Sequence, residues 1–273
     1  LKPTTALIVD HGLQTGSAEV AATASAQARQ LGCVDAQVIS VAVGTEGGPE
    51  AAARTARYAA LDAARGGDPV LLAHTLDDQA ETVLLGLGRG SGPRSIAGMR
   101  LWDPPWGRPL LEARRADTEA VCAELGLTPW RDPHNTDPRY TRVRLRTEVL
   151  PLLEDVLAGG VAPALARTAA ALREDNDALD ALAAGHLDAL RTADGLTVAG
   201  LEDLPAALRR RVIRGWLLAG GATGLTDKQI RGVDTLVTAW RGQGGVAVGS
   251  SLRGQRLVAG RRGGVLALRH EAI

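Results

Sequence analysis

Residues Val70–Gly92, with the sequence VLLAHTLDDQAETVLLGLGRGSG, decide how the rest of the chain is interpreted. The apolar run Val70–Leu72 predicts a short buried strand, and the apolar residues from Val83 to Leu87 recur at helical spacing. A polar turn lies between these two runs, and a glycine-rich break, Gly88–Gly92, follows them. Strand, polar turn and helix in this order place ligand-binding groups at the carboxyl edge of a parallel sheet.

The polar turn carries four candidate catalytic side chains, those of His74, Asp77, Asp78 and Glu81. If the helix begins near Asp77, the spacing brings Asp78, Glu81 and His74 to the rim of one cleft. Three carboxylates and an imidazole suit a cation, a substrate amine, or Mg²⁺ with phosphates. The alternative is helix capping, in which Asp77 or Asp78 accepts free N–H groups and Glu81 interacts with the helix dipole. Capping accounts for one or two acidic residues but not for the whole pattern, so the sequence favours a site.

The segment AHTLDDQAETVLLGLGRGSG resembles the second signature of the tRNA(Ile)-lysidine synthetases, which belong to the N-type ATP pyrophosphatases, or PP-loop group. The resemblance covers nearly the whole chain. Its other parts are VDHGL (9–13), EAAARTARY (50–58), GSGPRSIAGM (90–99), RPLLEARRADTEAVCAELGLTPWRDPHNTD (108–137) and YTRVRLR (140–146). The chain departs from the family pattern at three positions: His134 replaces Ser, Val143 replaces Asn and Thr147 replaces His.

The predicted fold class is α/β, with a mostly parallel, doubly wound sheet. The run Thr5–Val9, a helix over Ser17–Leu31 and the run Ala36–Val41 form the strand–helix–strand order of such a sheet. The resemblance implies an adenine nucleotide alpha hydrolase-like catalytic domain over residues 1–150. We expect a helical linker over residues 151–200 and a small α+β domain that binds tRNA over residues 201–273.

The family's first signature, S-G-G-x-D-S, does not occur in these residues. In the family, this loop follows the first strand and wraps the ATP phosphates with main-chain N–H groups. Either the natural protein carries this segment ahead of Leu1, or the chain lacks it and cannot cleave ATP. Because the first strand is central in this fold class, we favour the former and expect a gap in the sheet beside Thr5–Val9.

The resemblance implies that the chain is an ATP-dependent ligase acting on isoleucine tRNA with a CAU anticodon. ATP, with Mg²⁺, adenylates the C2 oxygen of the wobble cytidine and releases pyrophosphate. The amine of L-lysine then attacks C2 and displaces AMP to give lysidine. Two alternatives remain open: another PP-loop enzyme that modifies tRNA, such as a 2-thiolation enzyme, or a non-catalytic tRNA-binding protein.

The implied site residues form a catalytic set, an ATP-binding set and a tRNA-binding set, together with one candidate metal ligand. The catalytic set is Asp78, Glu81, His74, Asp77 and Arg54, and Asp78 is also the candidate metal ligand. The ATP-binding set is Asp10, His11, Gly12, Arg54 and Arg146. The tRNA-binding set is Arg89, Arg142, Arg144, Arg146, Arg209, Arg210 and Arg211. The arginine fork donates two parallel bonds to an oxyanion, which suits phosphate contacts. Without the resemblance, His11 is typical of a turn and these arginines are typical of solvated helices.

Composition narrows the class of protein. The chain has 273 residues, 45% of them hydrophobic, which is enough for one large or two ordinary domains. Its net charge is zero, yet residues 201–273 hold twelve Lys and Arg against five Asp and Glu, which suits a large anionic partner. Cys33 and Cys122 are too far apart in sequence to indicate a zinc site or a disulfide scaffold. With neither a secretory signal nor a long apolar run, we expect a cytoplasmic protein, with a homodimer as one option.

Overall fold

The computed structural model describes residues 3–45, 48–90, 92–252 and 254–272. The chain forms two compact units, the first from Leu1–Asp78 with Met99–Val149 and the second from Gln79–Gly98 with Leu150–Ile273. This division differs from the three domains expected from the sequence. Residues 79–98 and the predicted linker both belong to the second unit.

The elements follow the chain in an order typical of an α/β protein with a sheet-containing C-terminal part. Up to Val149 they are β1 (Thr5–Asp10), α1 (Ser17–Gln30), β2 (Asp35–Ser40), α2 (Pro49–Ala64), β3 (Val70–Leu71), α3 (Leu76–Gly88), α4 (Pro93–Ile96), β4 (Trp102–Asp103), β5 (Trp106–Gly107), α5 (Arg115–Glu124), a 3₁₀ turn (Pro133–Thr136), α6 (Thr141–Arg144) and a π-helical turn (Leu145–Val149). Beyond it they are α7 (Leu150–Val156), α8 (Val161–Leu190), β6 (Arg191–Thr192), β7 (Gly195–Thr197), α9 (Val198–Glu202), α10 (Ala206–Ala219), β8 (Ala222–Thr223), α11 (Asp227–Thr238), β9 (Val246–Ser250), β10 (Gln255–Arg262) and β11 (Val265–Ala272).

Parallel pairing dominates the first unit, as the sequence predicts. Strands β1 and β2 pair in parallel from Thr5 opposite Asp35 to Asp10 opposite Ser40, with α1 as the crossover. Strand β3 pairs in parallel with β5, which pairs antiparallel with β4. Among the residues that the structure describes, no strand joins β1 to β3, so the sheet is interrupted at the expected place.

The segment Leu101–Pro109 is rich in Pro and Trp, a composition that predicts irregular structure, yet it contains the short strands β4 and β5. Its prolines contribute carbonyl groups instead of N–H groups: the carbonyl of Pro105 accepts the N–H of Val70 at 2.9 Å. The carbonyl of Gly107 accepts the N–H of Leu72 at 2.8 Å. A Cβ at Gly107 would lie 2.8 Å from Cδ2 of Leu71, so glycine permits this close pairing.

The second unit is built on an antiparallel sheet with the strand order β6-β7-β11-β10-β9-β8. Helices α8, α10 and α11 contribute to its core, whose most deeply buried side chains are Leu196, Leu201, Ile213, Leu217, Leu236, Leu257 and Leu266. The sequence predicts a linker helix followed by a second helix, but α8 is one helix of 30 residues. In the described part of the chain, no single helix is long and apolar enough to cross a membrane, and only a sharply bent helix pair passes by length and composition.

A buried ion pair joins α10 to α11 inside this core. The Nε of Arg209 donates to Oδ1 of Asp234 at 2.5 Å, and Nη1 of Arg209 donates to the carbonyl of Leu204 at 2.7 Å. The second oxygen of Asp234 accepts from Nε of Arg210 at 2.8 Å. The side chain of Asp234 is 6% exposed and that of Arg209 is 11% exposed. If one partner were removed, water could therefore not easily solvate the charge of the other.

Removing Asp234 should therefore destabilise the second unit. Asp234→Ala leaves the guanidinium of Arg209 buried without its counter-charge, and we expect a loss of about 3–5 kcal/mol in the free energy of unfolding. Asp227→Ala is the matched control, since it removes an exposed ion pair with Arg231 and should cost under about 1 kcal/mol. Urea denaturation followed by circular dichroism measures both, and equal costs would contradict the structural role of the buried pair.

Candidate active site

The carboxylate of Asp78 lies at the first turn of α3 and is held from both sides. Its Oδ2 accepts the backbone N–H and the hydroxyl of Thr75, each at 2.8 Å. In return, Oγ1 of Thr75 accepts the backbone N–H of Asp78 at 3.4 Å, which completes a capping box. The other oxygen, Oδ1, accepts Nη2 of Arg115 at 2.7 Å and lies 3.6 Å from Nη2 of Arg146. The capping alternative is thus present at this residue, and it leaves Oδ1 to the two guanidinium groups.

These contacts keep Asp78 ionised although it is largely buried. Burial acts to raise its pKa, but the two hydrogen bonds from Thr75 and the charges of Arg115 and Arg146 outweigh that effect. The pKa of Asp78 is therefore below its ordinary value. The site holds a fixed negative charge enclosed by two guanidinium groups.

Asp77 is held by the segment just before α5. Its Oδ2 accepts the backbone N–H of Arg115 at 2.7 Å, and its Oδ1 lies 3.1 Å from Nη2 of Arg114. The backbone N–H of Leu76 donates to the carbonyl of Ala113 at 2.9 Å, which fixes the same segment against the start of α3. Sequence reasoning missed Arg114 and Arg115. Two adjacent arginines before a helix were a signal, but nothing in the sequence linked them to an acidic pair 37 positions earlier.

His74 is half-buried in a positively charged neighbourhood. Its Nδ1 has no hydrogen-bond partner within the described part of the chain. Burial lowers the pKa of His74 to about 4; Asp78 acts to raise it, while Arg108, Arg54 and Arg57 lower it further. Arg108 is 6% exposed and donates to the carbonyl of Arg100 at 2.9 Å. His74 is therefore a neutral imidazole at physiological pH and too weak a base to take a proton there.

Arg54 and Arg57 place two more cations on α2. Arg54 stacks over the ring of Tyr58 with its Cζ 4.7 Å from the centroid, and it donates to the Tyr58 hydroxyl at 3.1 Å. Tyr58 meets Trp106 of β5 edge to face, with centroids 4.7 Å apart. Burial and then the charge of Arg54 lower the pKa of Arg57. Arg54 borders an open cleft of about 580 Å³ that is lined also by Thr55, Tyr58, Asp62, Pro105 and Trp106.

A second cavity, of about 170 Å³, opens at the carboxyl end of β1, where Asp10, His11 and Gly12 line it. Oδ1 of Asp10 accepts the N–H of Gly12 at 2.9 Å, and this bond, with one from Ser17, lowers the pKa of Asp10. Gly12 has φ +62°, a left-handed conformation that favours glycine. Burial and then the charge of Arg57 lower the pKa of His11.

The opposite wall of this cavity comes from the loop before the 3₁₀ turn. Trp130, Asp132 and His134 line it. Nε2 of Gln14 donates to Oδ1 of Asp132 at 2.6 Å and lies 3.0 Å from Nδ1 of His134. His134, which departs from the family's Ser, therefore ties this loop to the end of β1.

The arginines predicted to bind tRNA have different environments. Arg89 is exposed after α3, Arg142 lies 3.6 Å from the carboxylate of Glu50, and Arg144 pairs with Glu148 at 2.9 Å. Arg209 is buried against Asp234, so its predicted tRNA contact is wrong and its role is structural. Arg211 is 14% exposed and donates to Oδ1 of Asn176 at 2.6 Å, which likewise removes it from the tRNA-binding set.

The metal role predicted for Asp78 stays a prediction. Within residues 3–45, 48–90, 92–252 and 254–272, no three His, Cys, Asp or Glu side chains group closely enough to hold a metal ion by themselves. A Mg²⁺ ion that enters on phosphates needs only one or two carboxylates, so this finding does not decide the role of Asp78. Both oxygens of Asp78 accept hydrogen bonds, from Thr75 and Arg115, and Glu81 is fully buried one turn further along α3.

Two family models match the chain. One is described as a PP-loop domain and matches residues 1–153; the other is described as a TilS substrate binding domain and matches residues 196–263. The tRNA(Ile)-lysidine synthase of Mycobacterium tuberculosis (strain ATCC 25618 / H37Rv) is 73% identical over 277 residues, covering 100% of this chain and 85% of the relative. The tRNA(Ile)-lysidine synthase of Nocardia farcinica is 66% identical over 267 residues, covering 98% and 84%.

Among solved structures, the U34-tRNA thiolase NcsA from Methanococcus maripaludis is similar, with a TM-score of 0.52 and 17% identity over 63% of each chain. At that identity the likeness shows the fold alone. It agrees with the PP-loop domain that the family model places over residues 1–153.

The environment of His74 predicts its titration. We expect its ring protons to titrate with a midpoint near pH 4, because the buried imidazole disfavours its charged form. The folded pKa lies below the unfolded value, so the folded state binds fewer protons between these two values. Stability is therefore lost as pH falls from about 6.5 towards 4. NMR titration measures the midpoint, with His74→Asn to assign the resonance, and a midpoint above 6 would contradict the buried neutral imidazole.

Proposed function

This chain belongs to the tRNA(Ile)-lysidine synthase family, and we propose that it joins L-lysine to C2 of the wobble cytidine of an isoleucine tRNA whose anticodon is CAU. It is an ATP-dependent ligase of tRNA processing, as its relatives at 60–74% identity and its PP-loop domain indicate. The observation that carries the proposal at the site is the ionised Asp78 enclosed by Arg115 and Arg146 at the start of α3.

The proposed reaction has two steps. First, the C2 oxygen of cytidine attacks the α-phosphorus of ATP, the bond from that phosphorus to pyrophosphate breaks, and an adenylated base forms. Next, the lysine amine nitrogen attacks C2, the C2–O bond breaks, and AMP leaves with the oxygen while the amine loses a proton. Activation is required because a carbonyl oxygen is a poor leaving group and AMP is a good one. Holding the amine beside C2 makes the second step effectively unimolecular.

ATP is proposed to bind at the carboxyl end of β1. Asp10, His11 and Gly12 line a cavity there, and its walls suit a flat ring. The charges of Arg54, Arg57 and Arg108 all act on His74, so the neighbouring region is electropositive and suits phosphates. Arg54 and Arg146 are assigned to the charge that develops on phosphate or base. Mg²⁺ is proposed to enter on the ATP phosphates, with Asp78 as the candidate protein ligand.

Asp78 and Glu81 are proposed to hold the lysine. Asp78 is anionic and 20% exposed, which leaves its carboxylate accessible to an incoming amine. Glu81 follows on the next turn of the same helix and is buried. We assign Asp77 and the neutral His74 to shaping the site. His74 can accept or donate one hydrogen bond through the Nδ1 that lacks a partner among the described residues.

The tRNA is proposed to contact Arg142 and Arg144 on the first unit, and Arg89 and Arg210 on the second unit. The side chain of Arg210 is 34% exposed. Their charge replaces counterions condensed on the phosphate backbone. We also propose a cytoplasmic enzyme, because its tRNA substrate is made there, and a homodimer, which sedimentation equilibrium tests directly.

Charge-neutral substitutions at the two carboxylates test the lysine assignment. Asp78→Asn and Glu81→Gln should each lower incorporation of labelled lysine into isoleucine tRNA by at least about 100-fold, since a paired buried charge contributes about 3 kcal/mol or more. Asp227→Asn, at an exposed ion pair on α11, is the control and should retain wild-type activity. Near-normal turnover in either site variant would refute the assignment. Binding of tRNA without lysine incorporation in the wild type would favour a non-catalytic tRNA-binding protein.

The tRNA contacts are tested by salt dependence. Arg144→Gln should weaken tRNA binding and reduce the slope of log affinity against log salt by about one, because one phosphate contact is lost. Arg65→Gln removes a comparable ion pair with Asp62 on α2 and should leave the slope unchanged. An identical slope for both variants in filter-binding titrations would remove Arg144 from the interface.

A further inference from the structure

We propose that Arg115 is a positioning residue for the lysine-transfer step, because it fixes both acidic side chains at the start of α3. This inference rests on the proposed function. Arg115 would not touch the reacting atoms itself; it would act through Asp78.

Arg115 is the residue through which α5 reaches both carboxylates. Its backbone N–H donates to Oδ2 of Asp77 at 2.7 Å, and its guanidinium Nη2 donates to Oδ1 of Asp78 at 2.7 Å. The backbone of Arg115 is fixed in turn by the bond from the N–H of Leu76 to the carbonyl of Ala113. Arg115 therefore links Asp77 and Asp78 through one backbone bond and one side-chain bond.

The two oxygens of Asp78 accept hydrogen bonds from different residues, so a substitution of Arg115 can be separated from an effect on the helix cap. Oδ2 completes the capping box with Thr75 and does not depend on Arg115. Oδ1 is bonded by Arg115 and lies 3.6 Å from Arg146, beyond hydrogen-bond distance. Loss of the Arg115 guanidinium would leave the helix capped while Oδ1 loses the 2.7 Å bond from Nη2. Substitution of Arg115 should therefore change the orientation of the Asp78 carboxylate more than it changes the stability of the fold.

The charge of Arg115 also bears on the chemistry of the amine. A lysine amine must be neutral to attack C2, and a carboxylate without compensation would favour the protonated form. Arg115 and Arg146 offset the charge of Asp78, so the carboxylate can accept a hydrogen bond from a neutral amine. Neutralising Arg115 would raise the pKa of the bound amine and shift the pH profile of lysine transfer upward.

The two reaction steps distinguish this role from a purely structural one. Adenylation is followed by pyrophosphate release from ATP and tRNA without lysine, and transfer is followed by labelled lysine incorporation. In Arg115→Gln we expect pyrophosphate release within threefold of wild type. Lysine transfer at subsaturating lysine should fall at least tenfold, with its pH profile moved upward by about half a unit or more. Arg115→Lys, which retains a cation but not the fork, should recover part of the transfer rate.

Arg65→Gln is the matched control, since it removes an Arg–Asp hydrogen bond of 2.6 Å elsewhere in the first unit and should behave as wild type. Wild-type transfer in Arg115→Gln, or equal losses in both steps, would overturn the inference. If Arg115→Gln does not fold, Arg115→Lys decides: a selective transfer defect supports the inference, and its absence overturns it. A wild-type protein that forms no lysidine would overturn the proposed function, and this inference with it.

Discussion

The reciprocal bonds between Thr75 and Asp78 are the constraint on which the site depends. They end strand β3, begin helix α3 and fix one oxygen of the carboxylate at the same time. Because the cap occupies only Oδ2, the other oxygen is directed towards guanidinium groups. A local requirement, that the first N–H groups of a helix find acceptors, thus also places a charge at the edge of a parallel sheet. The cap and the contact with Arg115 use different oxygens of one side chain.

Arginine side chains surround both Asp78 and His74 and help to determine their charge states. Arg54, Arg57 and Arg108 come from α2 and from the residue after β5, and their charges reach His74 together. Burial acts to raise the pKa of Asp78 and to lower that of His74. The hydrogen bonds from Thr75, with the charges of Arg115 and Arg146, outweigh the first effect, whereas Arg108, Arg54 and Arg57 reinforce the second. The first unit therefore carries an anion and a neutral imidazole within a cationic surround, which suits an anionic cosubstrate and an amine nucleophile.

Local patterns predicted much of the fold. The runs Thr5–Val9 and Ser17–Leu31 became β1 and α1 within one residue at each end, because their apolar periodicity and glycine stops agree with the tertiary structure. The segment with Trp102 and Trp106 was missed, because its pairing depends on carbonyl groups and on Gly107, which no periodicity reveals. No local pattern indicates that residues 79–98 group with the C-terminal unit, because that grouping depends on three-dimensional contacts.

Candidate site residues that share one sequence segment could be predicted from the sequence. Their partners from distant segments could not. His74, Asp77 and Asp78 are contiguous and were found, whereas Arg115 approaches them from α5. The tRNA contact predicted for Arg209 shows a different limit of the sequence. A run of three arginines does not reveal which side chain is buried, and Arg209 is the buried one. That inward pair limits how α10 and α11 can drift over generations. Asp234 accepts hydrogen bonds from both Arg209 and Arg210. A lineage that loses one of these charges must therefore first acquire a compensating change. Replacement of the paired side chains by apolar ones is the accessible route.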